Sequence, residues 1–172
     1  MSLPRRVAIG VGSVLPLLLL GCEPTPPPLP DPPNPGAYWV ERSDTELGAV
    51  LTETCARSKS TEKPVLVAFS APWCIDCRQM RALEEQPVLK EELANWEKVV
   101  VHVGRLDRHP DLLSAFKVGA IAHWVALRPT ECSAKVTDWP VLRASTFEPQ
   151  TGWFGVKTAD GLRDWLVEAR AE

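Results

Sequence analysis

Two thiols three residues apart, Cys74 and Cys77, carry the clearest chemistry in the chain. On a helical turn, side chains at i and i+3 are neighbours, so this pair can close a disulfide and reopen it. Just before it, Val65-Leu66-Val67-Ala68-Phe69 is a continuous apolar run, better suited to a strand buried on both faces than to a helix. After it, Cys74 to Glu85 has helical periodicity, with Met80 and Leu83 inward. The motif therefore falls at a strand-to-helix junction. Cys74 stands at the helix N-terminus, where unpaired N–H groups and the macrodipole favour a thiolate, the nucleophile of disulfide exchange. Cys77 lies one turn deeper, placed to resolve a mixed disulfide. An isolated C-x-x-C also serves as half a zinc site or as a structural pair. The strand–motif–helix setting favours exchange.

Other elements must hold that junction in place. Ser43-Asp44-Thr45-Glu46 is a capping-box pattern that starts a helix, continued by Leu47, Val50, Leu51 and Thr54 and stopped by Pro64. Pro87 breaks the helix after the motif, and Val88 to Trp96 offers another short one. Val99 to Val103 reads as a second buried strand, Asp111 to Phe116 as a short helix, Trp124 to Leu127 as a third strand and Val141 to Phe147 as a weaker fourth. Thr158 caps a last amphipathic helix with Leu162, Trp165, Leu166 and Ala169 on one face. Strands alternating with helices predict an α/β domain over residues 37–172 whose sheet is partly parallel and covered on both faces. The stretch Arg128 to Lys157 is long for a return loop and holds Cys132, Trp139, Trp153 and Phe154, as an elaborated edge or a partner surface.

Composition narrows the function classes. Hydrophobic residues at 45% and charged residues at 24% exclude a wholly disordered chain. A formal net charge of −3 leaves no basic excess for a nucleic-acid partner. No nucleotide-binding Gly-rich loop occurs, and no cofactor is expected.

The segment Phe69-Ser70-Ala71-Pro72-Trp73-Cys74-Ile75-Asp76-Cys77 resembles the thioredoxin-family signature. Lys63-Pro64 before the strand adds a resemblance to the thioredoxin-like domains of bacterial thiol:disulfide interchange proteins, over roughly residues 40–172. The resemblance implies a thioredoxin-like fold, a central mixed sheet of four or five strands flanked by helices. It implies Cys74 as attacking thiol and Cys77 as resolving thiol, with Trp73 beside the substrate groove. It also implies partners that are protein thiols or disulfides, together with a redox partner protein. In that layout Cys55, late in the first helix, and Cys132, after the third strand, meet at the sheet edge opposite the motif, so a Cys55–Cys132 disulfide is expected.

Two positions depart from the family pattern. Ala122 stands where relatives place a cis-proline facing the thiols. A non-proline cis bond costs about 2.5–4 kcal/mol, so a trans bond is expected there, with an altered groove. Ala68 stands where a buried acid often serves the resolving thiol. Asp76 can substitute or be an ordinary first-turn acid; its charge disfavours the thiolate, and Arg78 opposes it. His123 follows Ala122, and an alternative function is a copper or zinc module using Cys74, Cys77 and His123. His102 and His109 read as structural. A third reading is an interaction protein whose Cys pair is an inert disulfide.

The N-terminus carries an address. Arg5 and Arg6 precede an apolar run from Val7 to Leu20, too short for a good spanning helix, which needs about 20 residues. It ends in Leu19-Leu20-Gly21-Cys22, which resembles a bacterial lipobox. That implies a lipoprotein signal peptide at 1–21, lipidation of Cys22, and membrane attachment in a bacterial cell envelope, periplasm-facing where there is an outer membrane. Of five Cys, this leaves an even four for an oxidising compartment. Residues 22–36 read as the lipidated Cys plus a stiff tether. The stretch Pro24 to Gly36, PTPPPLPDPPNPG, excludes helix and sheet and reaches about 40 Å as polyproline II.

Overall fold

The alternating pattern folds into one four-stranded sheet among the described residues, which in this computed structural model are 35–147 and 158–172. The helices are α1 (Pro35–Tyr38), α2 (Asp44–Thr61), α3 (Ile75–Leu83), α4 (Pro87–Leu93), α5 (Pro110–Ala115) and α6 (Ala159–Ala171). The strands are β1 (Val65–Ser70), β2 (Glu97–His102), β3 (His123–Leu127) and β4 (Val141–Thr146), in spatial order β2-β1-β3-β4. β1 runs parallel to β2 and antiparallel to β3, and β3 runs antiparallel to β4. β1 lies inside the sheet, and all six of its residues are buried, as an unbroken apolar run requires.

Local signals account for the helix starts. Ser43 Oγ accepts from the Glu46 N–H while the Glu46 carboxylate accepts from the Ser43 N–H, closing the capping box. Thr158 does the same one-sidedly for α6, accepting from the Gly161 N–H. Pro87 and Pro110 each sit in a first helical turn, where a missing N–H costs nothing. The same physics corrects the tether's end. Pro35 and Gly36, read from sequence as extended, belong to the first helical turn, because a leading proline is tolerated there.

Apolar side chains fill both faces of the sheet. Phe69 packs toward Phe116, with ring centroids 5.9 Å apart. On the α6 side, Trp124, Phe147 and Trp165 meet edge-to-face at 5.4–6.1 Å. Ala68 lies directly across from Trp124 in the β1–β3 ladder, so the position that often bears an acid in relatives faces an indole here. Cys55 of α2 is bonded to Cys132 in the loop after β3, with Cα atoms 5.5 Å apart. Trp139 in the same loop is buried and packs with the core, which favours the elaborated edge. Trp153 and Phe154 lie outside the described residues, as do the signal segment, Cys22 and the tether up to residue 34. No described helix is long and apolar enough to cross a membrane.

Candidate active site

Strand β1 ends at Ser70, and four residues later the chain enters α3. Cys74 is the N-cap of that helix, not a residue inside it, with extended backbone at φ −78° and ψ 121°. An N-cap side chain points back at the first-turn N–H groups. Accordingly, the Cys77 N–H donates to Cys74 Sγ at 3.1 Å. Cys74 Sγ also lies 3.6 Å from the Ile121 carbonyl, to which the protonated thiol donates. The Cys74 and Cys77 sulfurs are unbonded to each other, so the site is in its dithiol form.

The two thiols differ sharply. Cys74 is held below the usual thiol range, first by a hydrogen bond from the Cys77 thiol and then by the Cys77 and Asp76 N–H groups. Burial and the Asp76 carboxylate work against it without prevailing. Cys77, 1% exposed, is pushed far up, chiefly by burial and then by the neighbouring Cys74 sulfur. Attacking and resolving roles therefore follow from position: one sulfur at the positive helix end, one in the core.

Apolar side chains frame the opening. Trp73 is 49% exposed and Ile75 is 53% exposed, on either side of a Cys74 that is 5% exposed. Trp73 is fixed by its Nε1–H, which donates to the Gly104 carbonyl at 2.6 Å. Gly104 is required there: its φ is +59°, and a Cβ would meet Asp107 Oδ1 at 2.2 Å. A pinned, half-exposed indole is an interface-type anchor.

Ala122 corrects a second expectation. The Ile121–Ala122 bond is cis. In the fold the Ile121 carbonyl faces Cys74 Sγ, and the Ala122 carbonyl accepts from the Phe147 N–H at 2.7 Å. The backbone opposite the thiols is thus held by tertiary contacts.

His123 does not complete a metal site. Its Nδ1 lies 2.8 Å from Thr146 Oγ1, turned toward β4, and its ring packs near Phe69. Among the described residues no group of three or more His, Cys, Asp or Glu is placed to hold a metal ion. His109 pairs with Asp44, Nδ1 to Oδ1 at 2.5 Å, tying α5 to the start of α2. Burial lowers the His123 pKa to about 4, against about 6.5 in an unfolded chain. The unfolded chain therefore takes up a proton that the fold refuses. His123's contribution is whole above about pH 6.5 and is lost as pH falls toward 4. Denaturant titrations at pH 7 and pH 4.5 should show His123→Gln losing less stability on acidification than the unsubstituted protein, by about 2–3 kcal/mol.

Sequence reasoning missed Ser70 and Trp39. Trp39 Nε1–H donates to Ser70 Oγ at 2.7 Å, and both residues are buried, at the end of the strand that leads into the motif. The available signal was a hydroxyl closing an otherwise apolar strand one turn before the motif.

Fold and site together define a class: a thioredoxin-fold protein built for thiol–disulfide exchange. The thioredoxin family model matches residues 52–137, half of the chain, and the chain belongs to that family. Solved structures of the same fold include a disulphide isomerase from Xylella fastidiosa Temecula1, at 21% identity and a TM-score of 0.58, covering 75% of this chain and 95% of that one. The C-terminal domain of DsbD from Neisseria meningitidis in its oxidised form is also similar, at 21% identity and a TM-score of 0.55, covering 74% of this chain and 97% of that one.

Proposed function

We propose that the protein is a lipid-anchored thiol:disulfide oxidoreductase of the bacterial cell envelope, exchanging disulfides with cysteines of other proteins and served by a redox partner protein. The observation that carries the exchange is the asymmetry of the pair: Cys74 capping α3 with a lowered pKa, Cys77 buried behind it. The apolar rim of Trp73 and Ile75 suits an unfolded or extended protein segment better than a small polar thiol. Anchoring is supported by the Leu19-Leu20-Gly21-Cys22 pattern and the proline tract after it. The Cys55–Cys132 bond supports an oxidising compartment, where such disulfides persist.

Atoms balance without a cofactor. The Cys74 thiolate bonds one sulfur of a substrate disulfide and the other sulfur leaves as a thiolate. Cys77 then loses its proton and bonds Cys74 Sγ; the substrate's remaining sulfur leaves with the electron pair and is protonated. The substrate is reduced by two electrons and the pair is oxidised, and the reverse sequence makes a disulfide in the substrate.

The test is expression of the full chain in a lipidating bacterial host. The mature protein should begin at Cys22, carry acyl mass there, fractionate with membranes and reduce insulin disulfides with dithiothreitol as donor. Cys22→Ala should lose the acyl mass and be mislocalised, with its folded domain and exchange activity kept. An unmodified N-terminus at another residue would overturn the anchor, and inert full-length protein the exchange.

A further inference from the structure

We infer that Arg108 is the positioning residue for Trp73, holding its indole at the mouth of the site so that the thiol pair favours extended protein segments over small disulfides. The inference rests on the exchange reading and adds to it what sets the choice of substrate. Trp73 precedes Cys74 in the chain and is half exposed, so it can offer its ring to a substrate segment. An indole left loose would have to be immobilised at each encounter, and that ordering weakens binding. Its Nε1–H donates to the Gly104 carbonyl at 2.6 Å, so whatever fixes Gly104 fixes Trp73.

Gly104 belongs to the turn between β2 and α5, and that turn is costly to hold. Gly104, Leu106 and His109 have φ of +59°, +66° and +56°. A glycine takes this left-handed backbone freely; a leucine or a histidine does not. Within the turn, the Val103 carbonyl accepts from the Leu106 and Asp107 N–H groups, and Asp107 Oδ1 accepts from the Arg105 N–H.

Arg108 ties the turn down from outside. Its guanidinium donates to Glu41 Oε2 and to the Arg42 carbonyl, both at 2.8 Å. A surface ion pair alone would hold little, but a fork onto a carboxylate and a backbone carbonyl fixes the side chain in direction as well as reach. On the way its stem passes over Gly104: a Cβ there would lie 2.9 Å from Arg108 Cγ and 3.1 Å from Cδ. One side chain therefore braces the glycine and staples the turn to the segment between α1 and α2. His109 adds a second tie, to Asp44 at the start of α2, but Arg108 is the one that lies against Gly104. The groups that lower the Cys74 pKa belong to Cys77 and Asp76 in α3, not to this turn. Losing Arg108 should thus loosen the grip on a substrate and leave the nucleophile as it is.

The experiment uses the full chain carrying Cys22→Ser, with the Cys55–Cys132 bond intact. It compares insulin, a protein disulfide, with dithiobis(nitrobenzoate), a small one. Arg108→Ala should raise KM for insulin about three- to tenfold, the loss expected when one more side chain must be ordered on binding. The kcat for insulin, the rate with dithiobis(nitrobenzoate) and the pH midpoint of Cys74 alkylation should all stay in place. Arg108→Lys, which keeps the stem and a donor, should recover part of the KM. In a Trp73→Ala background Arg108→Ala should add nothing, because it acts through the indole. The Trp73 indole N–H, identified in the NMR spectrum by its absence from Trp73→Phe, should exchange with solvent several-fold faster in Arg108→Ala. An unmoved KM, unchanged indole exchange, equal losses with both disulfides, or a KM rise that persists without Trp73 overturns the inference alone. A chain with Arg108 and Trp73 in place that reduces neither disulfide removes the exchange reading and the inference together.

Discussion

Cys74→Ser is expected to abolish disulfide exchange, by at least about 10³-fold, whereas Cys77→Ala should attack once and stall. The first loses the nucleophile that caps α3. The second keeps it but has nothing to break the mixed disulfide, so incubation with a disulfide-bearing protein should leave a Cys74-linked adduct on a non-reducing gel. The coupling of the two sulfurs adds a sharper outcome. Because the hydrogen bond from Cys77 is the first cause of the lowered Cys74 pKa, removing Cys77 should move that pKa upward. Alkylation by iodoacetamide should therefore have a midpoint below the usual thiol value of about 8.5 in the reduced protein and a higher midpoint in Cys77→Ala. The backbone N–H groups of Cys77 and Asp76 remain to hold it partly down. Equal midpoints in the two proteins, or an adduct on Cys77 instead of Cys74, would reverse the assignment of roles.

Much of this machinery was legible in the residues because it is local. The run Val65 to Phe69 is apolar at every position and, at five residues with two Val, suits a strand covered on both sides better than a helix. The capping box at Ser43 and the N-cap at Thr158 are read within four residues. The helix dipole acts on Cys74 through its own next turn, so a reactive thiol follows from order along the chain. What escaped the sequence joins residues far apart. Trp39 and Ser70 are 31 positions apart and meet only because the segment before α2 returns under the end of β1. The backbone on either side of the cis bond at Ala122 meets Cys74, the N-cap of α3, and Phe147, just after β4, partners that sequence order does not reveal. His123 is adjacent to Ala122 in sequence, but its Nδ1 is taken up by Thr146 of the neighbouring strand, its partner in the β3–β4 register. Adjacency therefore misled the metal alternative, since strand neighbours point to opposite faces.

The family's buried acid offers the same lesson in reverse. At Ala68 its absence was visible, and a nearby charge such as Asp76 was the natural substitute. Asp76 instead disfavours the Cys74 thiolate. An acid in the first turn lies close to the attacking sulfur and acts on the wrong thiol. The space beside Ala68 is taken by Trp124, its partner across the β1–β3 ladder, so no acid sits behind the resolving thiol there.

Opening the Cys55–Cys132 bond should destabilise the domain without touching the exchange site. The bond links α2 to the loop after β3 across 77 positions. Closing a loop of that size limits the unfolded chain, and native disulfides of this kind contribute roughly 2–4 kcal/mol. In a domain of this size that lowers Tm by about 8–16 °C. The double replacement Cys55→Ala, Cys132→Ala is the right comparison, because a single one leaves a free thiol open to misplaced exchange with the Cys74–Cys77 pair. Cys55 is fully buried, so part of the loss will come from packing. Reducing the parent protein under conditions that open this bond separates the two terms, since the sulfur atoms then stay in place. At 25 °C both forms should keep the rate of Cys74 attack, because the bond joins α2 to the loop beyond β3 and not to α3. A thermal melt unmoved by the double replacement would mean that the two ends of the loop are already held together by the core around Leu51 and Trp139. Loss of Cys74 reactivity along with the bond would mean that strand β3 transmits its anchorage to the Ile121 carbonyl beside the attacking sulfur.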